Sequence, residues 1–152
     1  MRPWWVLLAG CLVYICAVVM AAGALPADDI PLHFDATGTA DRFGSRGEAL
    51  GVFIGLGVLL SAVGAGGILF ARRGSLSLVN VPYREYWTAP ERRDQLRRMI
   101  AWDIALLMSV TLVFAGLLPL ALLTALDADP VGLPAPVLWG VLGGYLVAVA
   151  VW

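Results

Sequence analysis

The chain has 152 residues, of which 61% are hydrophobic and only 14% are charged. A water-soluble domain carries about 25% charged residues, so this composition excludes an ordinary soluble fold. The net charge of −1 says little by itself, because in a membrane protein the side on which each charge lies matters more than the sum. The longest stretch without an apolar run, residues 72–98, is too short to bury a core of its own. We therefore predict a single membrane domain over residues 1–152.

Long apolar runs predict four helices, at residues 4–24, 49–71, 91–126 and 135–152. Each run approaches or exceeds the roughly 20 residues that a helix needs to cross a bilayer. The predicted fold class is all-α, an integral membrane four-helix protein that contacts the lipid bilayer. A cleaved signal peptide is an alternative for the first run, since Ala22-Gly23-Ala24 resembles a cleavage site. The run is, however, longer than the core of about 7 to 15 residues found in such peptides.

The arginines predict the orientation of these helices. All ten basic residues are arginine, and seven of them lie in or just after the loop over residues 72–90. Arg2 precedes the first helix, whereas only Arg42 and Arg46 lie in the loop over residues 25–48. With an even number of spans, both termini and the basic loop share one side, and the positive-inside rule makes that side the cytoplasm. We predict a multi-pass protein of the plasma membrane with residues 25–48 as its outer loop.

Small residues at four-residue spacing predict close helix packing. Gly51 and Gly55 form such a series in the second helix, and Gly140 and Gly144 repeat it in the fourth. Close backbone approach through small faces is one of the main forces between helices in lipid. We expect these helices to pack against each other, against a membrane-protein partner or in a homo-oligomer.

The basic loop contains a helix-start signal. Thr88 and Glu91 have the spacing of a capping box, and Pro90 suits a first helical turn. A helix is therefore predicted to begin here and to continue without a break into the third span. Its arginines are expected to face anionic lipid headgroups. A nucleic-acid partner is not expected, because membrane topology already requires positive charge in this loop.

The outer loop carries the candidate binding residues. Pro31 favours extended backbone and Gly38 a turn, which predicts a compact, extended or hairpin-like cap. His33, Asp35 and Asp41 suggest two hypotheses, a transition-metal site or a histidine that bonds the loop backbone or an aspartate. We favour the second and expect no bound metal and no cofactor. The sequence places no Ser/His/Asp set with a recognisable nucleophile on one side of the membrane, so no enzymatic activity is expected.

The same loop resembles a known family. The run that carries the resemblance is Leu25-Pro26, Ile30-Pro31-Leu32-His33-Phe34-Asp35, Gly38 and Asp41-Arg42-Phe43-Gly44-Ser45. It is similar to the domain of unknown function 1648 family of bacterial membrane proteins, over about the first 60 residues. The resemblance implies a membrane fold and importance of Pro31, His33, Phe34 and Gly38, and it implies no known reaction. Because the domain also begins larger toxin-immunity and signalling membrane proteins, an immunity-like role is one alternative.

These observations favour a non-enzymatic binding, sensing or accessory subunit that uses its outer loop. The candidate binding residues are Pro31, His33, Phe34, Asp35, Gly38 and Asp41. A small oligomeric transport component or channel is the competing class. A path for ions needs polar groups within the membrane, and Asp103 is the sole charged residue in the uninterrupted apolar stretches 4–24, 49–71, 99–126 and 137–152.

Overall fold

A computed structural model describes residues 2–35, 37–128 and 131–151. Most of the described chain is helical. The elements in chain order are α1 (Pro3–Ala24), β1 (Ile30–Phe34), β2 (Ala40–Gly44), α2 (Arg46–Arg73), a 3₁₀ turn (Leu76–Leu78), α3 (Arg84–Thr88), α4 (Arg93–Leu126) and α5 (Ala135–Val151).

Three helices, α1, α2 and α4, are long and apolar enough to cross a membrane by their length and composition. This finding supports the predicted helical membrane protein. α5 has 17 residues, which corresponds to about 25 Å of helix. A bilayer core is about 30 Å thick, so α5 is at the lower limit for a span. The count of four spans therefore stays a prediction.

The core forms where α1, α2 and α4 meet. α1 and α4 lie side by side in parallel, and α2 packs antiparallel against both. Leu7, Tyr14, Ile68 and Leu112 are among the buried members of this cluster. The Tyr14 hydroxyl donates a hydrogen bond to the carbonyl oxygen of Phe53 at 2.5 Å. This bond satisfies a polar group that has no access to water inside a membrane.

Glycines permit the close contacts between these helices. A Cβ built on Gly10 would lie 2.7 Å from the Cα of Ser109, which shows how closely α1 and α4 approach. On α2, a Cβ at Gly57 would overlap the Tyr14 ring, and one at Gly64 would lie 2.9 Å from Leu7 Cδ1. Small residues at these positions let the backbones approach, as in other membrane helix interfaces.

Of the alternatives predicted for Gly51, Gly55, Gly140 and Gly144, packing of α2 on α5 is not found in the described part of the chain. All four glycines are exposed, and a Cβ built on any of them meets nothing within 4 Å in the described part of the chain. The physical reason is that the four-residue spacing identifies a smooth helix face without identifying its neighbour. Packing of these glycines against a partner or a second copy stays a prediction.

α5 packs on α4 instead. The rings of Phe114 and Tyr145 stack with their centroids 4.4 Å apart. The hydroxyls of Thr111 and Tyr145 lie 3.1 Å from each other, within hydrogen-bond distance. Aromatic and polar side chains therefore join α5 to α4.

The predicted helix start at Thr88 is also wrong. Thr88 is the last residue of α3, and its hydroxyl donates to the carbonyl oxygen of Arg84 at 2.8 Å. Ala89 is extended, with a ψ of 142°, because a residue that precedes proline is driven out of the helical region. α4 begins only at Arg93, with no side-chain cap from Arg92.

The all-α description needs one addition, because β1 and β2 form a two-stranded antiparallel sheet. The sheet lies in residues 25–45, which we refer to as the hairpin segment. It occupies the end of the bundle where α1 ends and α2 begins. The opposite end, residues 71–98, holds the 3₁₀ turn, α3 and seven arginines, and we refer to it as the arginine end.

Candidate functional site

The hairpin contains two register irregularities that compensate each other. Pro31 pairs with Phe43, His33 with Arg42, and Phe34 with Ala40. Leu32 is therefore an extra residue in β1, and Asp41 is an extra residue in β2. Bulges of this kind re-aim side chains locally.

The inner face of the hairpin packs on the bundle. Ile30 and Pro31 are fully buried, and Ile30 belongs to an apolar cluster with Leu25, Ala49 of α2 and Leu122 of α4. Phe34 is half-buried against the same cluster, beside an apolar cavity of about 250 Å³. The predicted residues Pro31 and Phe34 thus fix the position of the hairpin.

The tip of the hairpin is bonded to the connection between α4 and α5. The amide of Ala40 donates a hydrogen bond to the carbonyl oxygen of Val131 at 3.0 Å. The amide of Leu133 donates to the carbonyl oxygen of Gly38, also at 3.0 Å. Gly38 has a φ of +87°, and a Cβ there would lie 3.1 Å from the Leu133 carbonyl oxygen. Glycine adopts this left-handed conformation without the steric cost that other residues have. The predicted importance of Gly38 therefore has a conformational cause.

The base of the hairpin is bonded to α2. Ser45 and Glu48 form a capping box, in which the Glu48 amide donates to Ser45 Oγ at 3.3 Å and the Ser45 amide donates to Glu48 Oε2 at 3.0 Å. Arg46 donates through Nε to the Pro26 carbonyl oxygen at 3.1 Å. These bonds close the loop between α1 and α2 around the sheet, so both ends of the hairpin segment are fixed.

Asp35 organises the turn between the two strands. One carboxylate oxygen accepts hydrogen bonds from the Thr37 hydroxyl at 2.6 Å, the Thr37 amide at 2.8 Å and the Thr39 amide at 3.0 Å. These donors, the Thr37 hydroxyl first, hold the pKa of Asp35 below its ordinary value because they stabilise the charged form. Asp35 therefore stabilises the turn of the hairpin through local hydrogen bonds, as the aspartate of an Asx turn does.

His33 and Asp41 form an exposed pair on the outer face of the hairpin. His33 Nδ1 lies 2.6 Å from Asp41 Oδ1, and the two side chains are 65% and 48% exposed. A carboxylate accepts hydrogen bonds, so the imidazole N–H at Nδ1 is the donor. The pair orients the ring and leaves Nε2 available to a ligand, since the described residues form no other hydrogen bond with this side chain. Arg42 continues the polar face with an ion pair to Glu48 at 3.8 Å.

The structure thus separates the six predicted binding residues into two groups. Pro31, Phe34, Gly38 and Asp35 build and position the hairpin, whereas His33 and Asp41 lie together on its exposed face. The three residues of the metal hypothesis do not converge. In the part of the chain that the structure describes, no three His, Cys, Asp or Glu side chains are arranged to hold a metal ion.

Two features of the site were missed from the sequence. Ser45 and Glu48 have the Ser-x-x-Glu spacing of a capping box, so the pattern was present and could have been identified. The bonding of the hairpin tip to residues 131–133 has no comparable signal, because these residues are about 90 positions away in the chain.

Comparison with known proteins identifies the segment that contains this site. Residues 9–58 match the family described as Domain of unknown function (DUF1648). The resemblance predicted from the outer loop is confirmed over these residues. The match covers about a third of the chain, from α1 through both strands into α2, and includes His33 and Asp41. No curated protein and no solved structure matches the chain.

Proposed function

We propose that the protein crosses a bacterial plasma membrane four times, with both termini in the cytoplasm and the hairpin segment outside. α1, α2 and α4 have the length and apolarity that spans require. α5 is shorter, but it carries no charged residue and lies along α4. Seven arginines at the arginine end support the orientation, because loops rich in positive charge stay in the cytoplasm.

Single-cysteine labelling tests the orientation. Asp28 and Glu91 are exposed carboxylates at opposite ends of the molecule, so Asp28→Cys and Glu91→Cys are matched changes. Both are introduced into a chain with Cys11→Ala and Cys16→Ala. In intact cells, an impermeant maleimide should label the cysteine at position 28 and leave that at position 91 unlabelled until the cells are opened. The reverse pattern would invert the topology.

Within this arrangement, we propose that the hairpin is a recognition surface of a non-enzymatic binding, sensing or accessory subunit. The observation that carries the proposal is an exposed polar face, built from His33, Asp41 and Arg42, on a hairpin fixed at both ends. Binding residues commonly lie on loops that a rigid scaffold positions. A fixed surface also loses little conformational entropy when it binds.

A capture experiment tests this role. The full chain is purified from native membranes after cross-linking in cells, alongside a His33→Ala, Asp41→Ala double variant. We expect a membrane or extracellular protein that is recovered with the parent chain and lost with the double variant, while expression and melting temperature stay the same. A Glu85→Ala, Asp94→Ala variant, which changes exposed carboxylates at the arginine end, serves as the control. Equal recovery with all three chains would contradict a role of the hairpin face.

A small oligomeric component of a transport system is the second candidate, and the open glycine face of α2 favours it. A Cβ built on Gly51 or Gly55 would meet nothing within 4 Å in the described part of the chain, which leaves a smooth face for a second copy or a partner helix. On this hypothesis Gly55→Leu lowers the oligomer fraction without changing the fold of one chain, and Val52→Leu, at an exposed position of the same helix, does not. Cross-linking followed by mass measurement distinguishes the two variants.

A further inference from the structure

Three arginines converge on one polar pocket at the arginine end. Arg84, Arg93 and Arg97 line a cavity of about 420 Å³ between the 3₁₀ turn, α3 and the start of α4. The hydroxyl side chains that line it are Ser75, Ser77 and Thr88. The sequence predicts positive charge here for topology alone, but it does not predict that three of the seven arginines share one cavity.

Each of the three arginines is held by a backbone carbonyl oxygen. Arg84 donates to that of Ser77 at 3.1 Å and Arg93 to that of Thr88 at 2.7 Å. Arg97 donates to the Ala71 carbonyl oxygen at 3.1 Å and is half-buried. A guanidinium carries five N–H donors, so one such bond orients the group and leaves most of its donors for a ligand.

The charge of this pocket is not neutralised by carboxylates. In the described part of the chain, no carboxylate oxygen lies within 4 Å of a nitrogen of Arg84, Arg93 or Arg97. Glu85, Glu91 and Asp94 are close in sequence but do not pair with them. Ser75 Oγ and Ser77 Oγ lie 2.7 Å apart, and since one hydroxyl donates to the other, the acceptor hydroxyl keeps its own hydrogen for a ligand. Oriented guanidinium groups with a hydroxyl donor are a donor set that suits a phosphate group.

The level of the pocket along the bundle indicates which phosphate it meets. The bond from Arg97 to Ala71 joins the second turn of α4 to the last turn of α2, at the level where the apolar parts of both helices end. Arg92 stacks on the Tyr86 ring at 3.8 Å, and aromatic rings are typical of the membrane interface. A phosphate at this level belongs to a lipid headgroup. From this geometry we propose that the pocket of Arg84, Arg93 and Arg97 is a binding site for the phosphate of an anionic phospholipid. The proposal requires a membrane protein, and it does not depend on the role of the hairpin.

Native mass spectrometry of the full chain in detergent tests the site. Phosphatidylglycerol or zwitterionic phosphatidylcholine is added, and the fraction of protein that retains one lipid is measured. The parent chain should retain phosphatidylglycerol in preference. An Arg84→Gln, Arg93→Gln variant should lose about tenfold in apparent affinity, since bonds to charged groups are among the stronger ones that proteins form.

An Arg73→Gln, Arg98→Gln variant is the matched control, because it removes the same charge from the same end without altering the pocket. Equal losses in the two variants would overturn the proposal and leave only general attraction between arginines and lipid. If the first variant melts at a lower temperature than the parent, Arg84→Lys, Arg93→Lys decides instead. This variant keeps the charge and loses the guanidinium forks, so affinity equal to that of the parent would also overturn the site.

Competition distinguishes a lipid from a soluble phosphate compound. Inorganic phosphate at millimolar concentration should displace little phosphatidylglycerol, because it lacks the acyl chains that lie against the apolar helices. Displacement at concentrations similar to that of the lipid would overturn the lipid assignment and indicate a soluble phosphate ligand.

Discussion

The two polar ends of the molecule bond their polar side chains to different partners. In the hairpin segment His33 pairs with Asp41, and Arg42 pairs with Glu48 at the start of α2. At the arginine end, Arg84, Arg93 and Arg97 bond to backbone carbonyl oxygens and to no described carboxylate. On the hairpin face these side chains are thus paired with each other, whereas the pocket of Arg84, Arg93 and Arg97 retains charge and donors for a group from outside the chain.

The comparison also separates two kinds of loop. The hairpin segment is fixed by backbone hydrogen bonds to residues 131–133 and by bonds to the start of α2. The arginine end consists of a short 3₁₀ turn and the five-residue α3, joined mainly through side chains. We infer that the hairpin is the more strongly constrained of the two ends. The following predictions test this contrast, from the largest effect on stability to the smallest.

The largest effect is expected at the tip of the hairpin. Gly38→Ala places a Cβ on a residue with a φ of +87°, 3.1 Å from the Leu133 carbonyl oxygen. The left-handed conformation alone costs other residues about 1–2 kcal/mol, and the contact adds to this cost. We expect a lower melting temperature and faster hydrogen exchange at the amides of Ala40 and Leu133.

Gly66→Ala is the control for this change. Gly66 lies in α2 toward the arginine end, and a Cβ there meets nothing within 4 Å. Alanine is the better helix former by about 1 kcal/mol, so this variant should be as stable as the parent or more stable. Equal destabilisation by both variants would show that the hairpin tip is not specially constrained.

The second effect is expected at the helix cap. Ser45→Ala removes the hydroxyl that accepts from the Glu48 amide, and loss of such a cap costs about 1 kcal/mol. Ser75 holds the matching position at the arginine end, but it caps a turn of only three residues. Ser75→Ala should therefore cost less in the free energy of unfolding, measured by chemical denaturation in detergent. A larger cost for Ser75→Ala would reverse the contrast between the ends.

Much of the helical part of this fold could be predicted from the sequence. The apolar runs indicated α1, α2 and α4, because length and hydropathy are local properties of a membrane helix. The choice among glycines could not be predicted. Gly55 and Gly57 lie within one turn of each other on α2, yet of these two only Gly57 lies against Tyr14. Which face of a helix meets a neighbour depends on the packing of the whole bundle, so it has no local signal.

The site was predictable to a similar extent. His33 and Asp41 were chosen because polar residues concentrate in one loop, and the structure brings them together through the bulges of the hairpin. The role of Asp35 differs from the prediction, since its hydrogen bonds to Thr37 and Thr39 follow from the turn geometry. The pocket of arginines was not predicted as a site, because convergence of side chains across a helix break has no local signal.

A third prediction concerns acid. The hydroxyl of Thr37 and the amides of Thr37 and Thr39 hold the pKa of Asp35 in the folded hairpin below its ordinary value of 3.8, so the folded state favours the charged form. This contribution to stability is present above about pH 3.8 and is lost as the pH falls through the lower folded value. The protection of the Thr37 and Thr39 amides against hydrogen exchange, measured relative to the intrinsic exchange rate at each pH, should therefore decrease in this acidic range. The effect is expected to be modest because the side chain is exposed.

Asp35→Asn provides the control for the acid effect. Asparagine keeps an acceptor oxygen for the Thr37 and Thr39 amides but cannot titrate. The variant should show slightly lower protection of these amides than the parent at neutral pH, and its protection relative to the intrinsic rate should depend much less on acid. An unchanged acid dependence in Asp35→Asn would assign the effect to another carboxyl group and contradict the role of Asp35 in the turn.

The smallest effect on stability is expected from the exposed pair, and it is the one that bears most on function. His33 and Asp41 are 65% and 48% exposed, and ion pairs at such positions contribute about 0–1 kcal/mol. His33→Gln and Asp41→Asn, singly and together, should therefore change the free energy of unfolding by less than about 1 kcal/mol. A double-mutant cycle in detergent measures the coupling free energy between the two side chains.

The coupling decides between two roles of the pair. If the coupling is small while partner capture is lost, the pair serves recognition. A combined loss of about 3 kcal/mol, which is typical of a disrupted buried network, would instead make the pair part of the hairpin's own structure. In that case the hairpin face would have a structural role only, and the pocket of Arg84, Arg93 and Arg97 would be the better candidate for a binding site.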